Sequence, residues 1–294
     1  MPARRRNHVK KKERRRPWPY VVTLFFTMAL AFYFFYPSVW SGNGKLTIAA
    51  SGKEKEVYLV TFDPSAETVT TVIFPGNTSV NAANNFGTWQ LGSIWELGFS
   101  EGLEGELLVN TLMKTFGLPI EAWGESNGSL ISIIVTRKTN LTIKDRAKLL
   151  FAYLRIGESG KRTINATETG FLKNVTLPGG GSGYEPKDEV PKSLLRFFSD
   201  IQVSQERARV RIVNKSGNGL LNDQVGKVIE VLGTKIVSVD RESSEKFDCQ
   251  VVTNSAKITQ AKLAQLFSCK KERAKDLAEG EIDFVFGEDF SKRF

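Results

Sequence analysis

Histidine is nearly missing from this chain. The one present is His8, so residues 45–294 contain none. That excludes a Ser-His or Cys-His nucleophile pair and a His-ligated zinc site from the main body of the protein. Cysteine is equally scarce, with only Cys249 and Cys269. No glycine-rich loop followed by Lys and Ser or Thr occurs, so no phosphate cradle of that type is present. The run Gly179-Gly-Gly-Ser-Gly183 has no strand pattern before it and no helix pattern after it, and reads as a linker. The sequence shows no internal repeat. Charge of either sign is missing from residues 17–44.

That uncharged stretch is the first positive feature. Its centre, Tyr20 to Tyr36, is apolar and bulky, and long enough for the roughly 17–25 residues that a bilayer core requires. Trp18, Tyr20, Tyr33, Tyr36 and Trp40 lie near its ends, where amphipathic rings favour the interface. A cleaved signal peptide would have a shorter core and small residues at the cut, whereas the best cut here is Val39-Trp40-Ser41. The expectation is an uncleaved transmembrane helix over 18–40.

The charge supports this orientation. The chain carries a net +9, and residues 1–16 hold nine Lys or Arg against one Glu, so everything beyond them sums to only +1. A basic arm over 1–17 stays in the cytoplasm and places the rest of the chain outside. The high pI describes the arm, and a nucleic-acid partner is not expected. Anionic lipid headgroups are the expected partner of the arm.

Two globular stretches follow, 45–177 and 191–294, separated by a Gly- and Pro-rich break over 178–190. In the first, strands are expected at 46–49, 56–62 and 68–74, the last two forming a hairpin across Asp63-Pro64-Ser65. A helix is expected over 103–116, with Leu103, Leu107, Leu108, Leu112 and Phe116 on one stripe, stopped by Gly117 and Pro119. Residues 129–135 are a buried strand or a short buried helix. Helical spacing resumes over 142–156, with Asp145 in the first turn, where a carboxylate suits the dipole.

In the second stretch, residues 192–199 are a lead-in, and 201–213 alternate like a strand through Val203, Ala208, Val210 and Ile212. A loop over 214–219 precedes a helix over 220–232, with Gly233 as its stop. Strands are expected at 235–239, 249–253 and 282–286, and a helix at 258–267. The alternation predicts an α/β fold with mixed or parallel pairing. If the 258–267 helix returns antiparallel along the 249–253 strand, it brings Cys269 back to Cys249. Five strand residues span about 16 Å, and about 11 helical residues return the same distance. A disulfide is expected, with two buried reduced thiols as the alternative.

Two segments then carry a family resemblance. Val210-Arg-Ile-Val-Asn-Lys-Ser-Gly-Asn-Gly-Leu220, the helix ending at Gly233, and Glu281-Ile-Asp-Phe-Val-Phe-Gly-Glu-Asp-Phe290 resemble the C-terminal domain of LytR-type cell-envelope proteins. Tyr58-Leu-Val-Thr-Phe-Asp-Pro64, Val69-Thr-Thr-Val-Ile-Phe-Pro-Gly-Asn-Thr78 and Leu112-Met-Lys-Thr-Phe-Gly-Leu-Pro-Ile120 resemble a reduced LytR-CpsA-Psr (LCP) domain. The resemblance implies a bacterial single-pass envelope protein. It also implies polyprenyl-linked glycopolymer or peptidoglycan as partner. Members of the family transfer glycopolymers from polyprenyl pyrophosphate to peptidoglycan.

The departures bear on that chemistry. The family's Arg-Asp falls on Gly76 and Asn77, and its earlier Arg-x-Asp falls near Lys53 and Lys55. Arginine forks grip pyrophosphate and carboxylates hold the bridging metal; glycine does neither, and lysine does not replace an aspartate ligand. No catalytic residue, metal site or cofactor is therefore carried over. Arg137, Lys138 and Arg146, beside Asp145, echo the family's Arg-rich segment and are candidate contacts for an anionic ligand. The plainer reading of the four is a solvated helix start with an ion pair. The expected role is non-catalytic binding or organisation of wall material; the competing one is an active phosphotransferase with rearranged basic residues.

Overall fold

A computed structural model describes residue 18 and residues 23–28, 38–177, 180–187 and 189–294. The chain divides into two compact units, 1–37 and 38–294. In the first, residues 23–28 are helical, and Leu24, Phe25, Phe26 and Met28 are exposed. Among the described residues no helix is long and apolar enough to cross a membrane. The expected arm over 1–17 and most of the expected span over 18–40 lie outside the described residues.

The second unit is mixed α/β. Along the chain come β1 (Leu46–Ser51), β2 (Val57–Asp63), β3 (Thr68–Phe74), the hairpin β4 (Ser79–Ala82) and β5 (Gly87–Gln90), and helices α1 (Leu91–Ser100) and α2 (Glu106–Phe116). Then follow β6 (Ala122–Glu125), α3 (Leu130–Val135), α4 (Ile143–Tyr153), β7 (Lys161–Asn165), β8 (Leu172–Thr176) and β9 (Ser182–Pro186). The remainder is α5 (Lys192–Phe198), α6 (Ile201–Glu206), β10 (Arg209–Lys215), α7 (Leu221–Leu232), β11 (Lys235–Arg241), β12 (Cys249–Thr253), α8 (Lys257–Leu266), β13 (Lys270–Arg273), β14 (Glu281–Gly287) and α9 (Glu288–Arg293).

Two five-stranded sheets result, in the orders β6-β1-β2-β3-β7 and β11-β10-β14-β12-β13. In the first, β1, β2 and β3 form an antiparallel meander and β6 and β7 add in parallel at the edges. In the second, β10 pairs in parallel with β11 and β14, and β12 is antiparallel to β14. Six of the seven residues of β3 are β-branched, which suits a pleated, half-buried surface. β1 is buried along its whole length, because both faces of the first sheet are covered. Leu46, Ile48, Val60 and Phe62 pack under α3 and α4 with Ile133 and Leu149. Ala49, Leu59, Val72 and Phe74 face α1 and α2, in a core that continues through Val210, Ile212, Phe284 and Phe286 of the second sheet.

The two stretches either side of 178–190 thus each hold one five-stranded sheet and share one core. The break expected over 178–190 contains strand β9, paired with β8 in a hairpin. Tyr184 N–H donates to Asn77 O and Gly183 is packed against Leu177, so backbone pairing orders a segment whose composition reads as flexible. The expected strand over 201–213 begins as helix α6: the Asp200 side chain accepts from Gln202 N–H, and Arg207 closes the helix in a left-handed conformation (φ 52°). The alternation is a strand only from Arg209 onward. Residues 129–135 form α3, capped by Ser129. Gly117 (φ 65°) and Gly233 (φ 112°) end α2 and α7 in the left-handed conformation. Cys249 and Cys269 are disulfide-bonded, with α8 returning along β12.

A buried charge cluster ties the layers together. Lys262 on α8 pairs with Glu121 (3.0 Å) and Asp200 (3.5 Å). Glu121 also accepts from Thr47 N–H of β1, and Asp200 from Lys45 N–H. Burial works against the Lys262 ammonium, but the two carboxylates hold its pKa above the usual value. Removing the cation leaves two buried carboxylates uncompensated. Lys262→Ala is expected to lower the stability of the 38–294 unit by about 3–5 kcal/mol, read by urea denaturation at neutral pH.

Candidate functional site

The turn at Gly76 and Asn77, set against the family's Arg-Asp loop by the sequence resemblance, is a junction of backbone. Gly76 O accepts from Gly92 N–H (2.9 Å) and Thr78 O from Leu91 N–H (2.8 Å). The first N–H groups of α1, which could otherwise hold an anion, are used inside the protein. Lys55, left-handed at the β1–β2 turn (φ 63°), brings its carbonyl against both glycines. A Cβ on Gly76 would lie 2.2 Å from Lys55 O, and one on Gly92 2.3 Å from it. Asn77 gives its amide to Ser182 O (3.0 Å) of β9. Lys53 and Lys55 are exposed. Among the described residues no group of three or more His, Cys, Asp or Glu could hold a metal ion.

Below this turn the space between the first sheet and its helices is filled by side chains. Phe74, Phe116 and Phe171 pack with ring centroids 4.8, 6.3 and 5.3 Å apart. Leu91, Ile94, Leu107, Leu112 and Met113 are fully buried around them.

The candidate anion contacts do not converge on one point. Lys138 pairs with Glu125 (3.6 Å) and stands over the Phe99 ring (5.7 Å). Arg146 donates from Nε to Leu141 O (3.1 Å), and Arg137 is exposed. Asp145, expected as half of a surface ion pair, is buried. Its carboxylate accepts from Ser38 Oγ, Val39 N–H, Trp40 N–H and Thr142, in a capping box with Thr142. Burial pushes this carboxyl up, yet the hydrogen bonds from Ser38, Thr142, Val39 and Trp40 outweigh it and hold its pKa below the usual value. Lys148 Nζ donates to Trp40 O (2.9 Å), and Gln265 holds Val39 O. Sequence reasoning missed this clamp, because nothing local links residue 38 to residue 145.

A cavity of about 300 Å³ lies between α2, β6 and α8, at the small end of ligand-site volumes. Asn84, Glu106, Asn110, Asn140, Trp123 and Arg293 contribute to its lining. Asn140 Oδ1 accepts from Trp123 N–H (2.9 Å), and Arg293 is held by Asp248 (2.9 Å). Trp123 Nε1 is buried without a hydrogen-bond partner, and Gly105 packs on the ring, where a Cβ would come within 2.3 Å. Amides, a carboxylate and an indole around one small space suit a polar, hydroxyl-rich ligand.

No family model and no curated protein matches this chain. Among solved structures, TagT of Bacillus subtilis is similar at 15% identity and TM-score 0.40, over 55% of this chain and 94% of that one. The B. subtilis protein described as the transcriptional regulator yvhJ is similar at 14% and 0.40, over 54% and 99%. The LytR-CPS2A-psr family protein YwtF (TagT), solved with bound octaprenyl pyrophosphate lipid, is similar at 15% and 0.39, over 53% and 91%. The structural neighbours are thus LCP-family chains, alike over about half of this one.

Gly76→Ala is expected to destabilise the protein by about 1–3 kcal/mol, read by thermal melting, because the new Cβ overpacks the Lys55 carbonyl. Asp145 has a depressed pKa, so its contribution is present above its unfolded pKa of about 3.9 and is lost as pH falls through the folded value. Asp145→Asn is expected to lower stability by about 1.5–3 kcal/mol at pH 7. The same variant flattens the acid limb of a melting-temperature profile against pH.

Proposed function

We propose that this chain is a bacterial cell-envelope protein, anchored through 18–40, with the basic arm in the cytoplasm and 45–294 outside. The LCP-like part binds or organises wall material without transferring it. The observation that carries this reading is the Lys55 carbonyl packed against Gly76. Where the resembled family presents Arg and Asp to a pyrophosphate, this chain presents backbone, and the α1 N–H groups beneath are already bonded. Transfer from a polyprenyl pyrophosphate needs donors on the phosphates and a carboxylate-held metal. Gly76, Asn77, Lys53 and Lys55 do not assemble that set. The Phe74, Phe116 and Phe171 packing supports a filled interior over a channel for a lipid tail.

The cavity beside Trp123 is where a glycan of the wall would be held. Its partner is peptidoglycan or a polyprenyl-linked glycopolymer; nucleic acid is excluded from the proposal by the near-neutral charge of 45–294.

The test pairs binding with turnover. The purified chain is expected to bind isolated cell wall and to leave a polyprenyl-pyrophosphate glycopolymer intact with magnesium present. Asn84→Ala with Asn110→Ala is expected to weaken wall binding by about tenfold, the loss of one or two hydrogen bonds. Turnover abolished by Arg137→Ala or Arg146→Ala would establish the phosphotransferase instead. Protease added to intact cells is expected to remove 45–294 and spare the arm.

A further inference from the structure

Helix α4 carries an apolar stripe on its solvent side. Ile143, Ala147, Leu150, Phe151 and the capping residue Leu154 fall within an arc of about 100° at the helical period. All five are exposed, Ile143 to 82%, Phe151 to 67% and Leu154 to 70%. The opposite face, with Asp145, Leu149 and Ile156, is buried. The same period places Lys144, Lys148 and Arg155 together along one flank of the stripe and Arg146 along the other. Helix α3, packed beside α4, exposes Ile131 and Val135.

Basic residues outnumber acids in this stretch of sequence, in which Lys138 is paired with Glu125. Residues 129–156 hold six Lys or Arg and one acid, a net of +5. Residues 45–294 together sum to +1, so the rest of that stretch is net −4. The one acid, Asp145, is buried and engaged by residues 38–40. The chain therefore enters the folded unit at the N-terminus of this helix, directly after the apolar run.

We propose that α4 is a membrane-surface helix: its stripe inserts at the outer leaflet, and its basic flank rests on anionic headgroups. A large apolar face with lysine and arginine beside it lies in the interface plane of a bilayer. The Asp145 clamp holds residues 38–40, the start of the folded unit, on the same helix. Arg146 and Lys144 act on lipid phosphates. The inference extends the anchored reading, and its test separates the two.

The full chain is placed in nanodiscs of phosphatidylcholine with a quarter phosphatidylglycerol, brominated in the acyl chains, with an environment-sensitive dye on Phe151→Cys. Val237→Cys, exposed on β11 of the second sheet, is the control. Quenching of about two-fold or more at 151 and little at 237 is expected. Residues 38–294 form a compact unit with complete cores. The same labelled piece, mixed with vesicles of that composition, reads the surface without the anchor. Its dye is expected to shift to the blue, less so in high salt or with Leu154→Asp. A solvent-like dye at 151 in both preparations overturns the proposal, whether or not the chain inserts into discs. So does concentration-dependent dimerisation abolished by Leu154→Asp, which would make the stripe an interface between two copies. Failure of the full chain to enter discs, with the vesicle shift intact, would sink the anchor and leave the surface helix standing.

Discussion

The Glu121–Lys262–Asp200 cluster is the constraint on which the arrangement of the layers depends. A buried ammonium between two buried carboxylates is stable only if all three are held in place, since any one alone in the interior is strongly unfavourable. The cluster therefore fixes α8 against the start of β1, the approach to β6 and the N-terminus of α6 at once. These elements come from both halves of the chain, and the continuous core from Leu59 to Phe286 follows from that registration. A second carboxylate, Asp145, acts in the same way on the other side of the first sheet, binding residues 38–40 with hydrogen bonds rather than an ion pair.

The turn at Gly76 is closed by backbone packing rather than by side chains. The meander of β1, β2 and β3 is kept by strand pairing and buried apolar side chains, with β-branched residues dominant in β3. The turn itself is shaped by close approach: Gly76 and Gly92 have no Cβ, Lys55 O sits against both, and the freed volume is taken by backbone.

Exposed polarity differs from region to region of the 38–294 unit. Basic and apolar exposed residues gather on α3 and α4, beside the point of entry of the chain, while the outer face of the second sheet carries paired charges such as Arg211 with Asp283. The small polar cavity by Trp123 lies elsewhere again, between α2, β6 and α8. The exposed apolar stripe of α4 and the polar cavity are thus distinct regions of one compact unit.

Much of the fold was legible in the sequence wherever a signal is local. The β-branched runs of β2 and β3, the stripe and Gly117 stop of α2, the Thr142–Asp145 helix start and the Gly233 stop all come from period and capping, which depend on neighbours within a turn or two. The return of α8 along β12, and with it the Cys249–Cys269 pairing, followed from two rises per residue. What local signals could not show was decided by distant partners. α1, with Gly92 and Gly98 inside it, has poor helix propensity and forms because tight packing against Lys55 and Glu104 requires glycine there. β9 is ordered by Asn77 and β8, although its composition reads as a linker. Asp145 became a clamp because residue 38 folds back to it, and the Lys262 cluster joins residues from four separate elements. The sequence by itself determined the strands and helices with strong local signals, such as β2, β3, α2 and α7, and where the charges lie along the chain. Only the tertiary structure decided which charges are buried together, because that depends on contacts between residues far apart in the chain, such as Lys262 with Glu121 and Asp200.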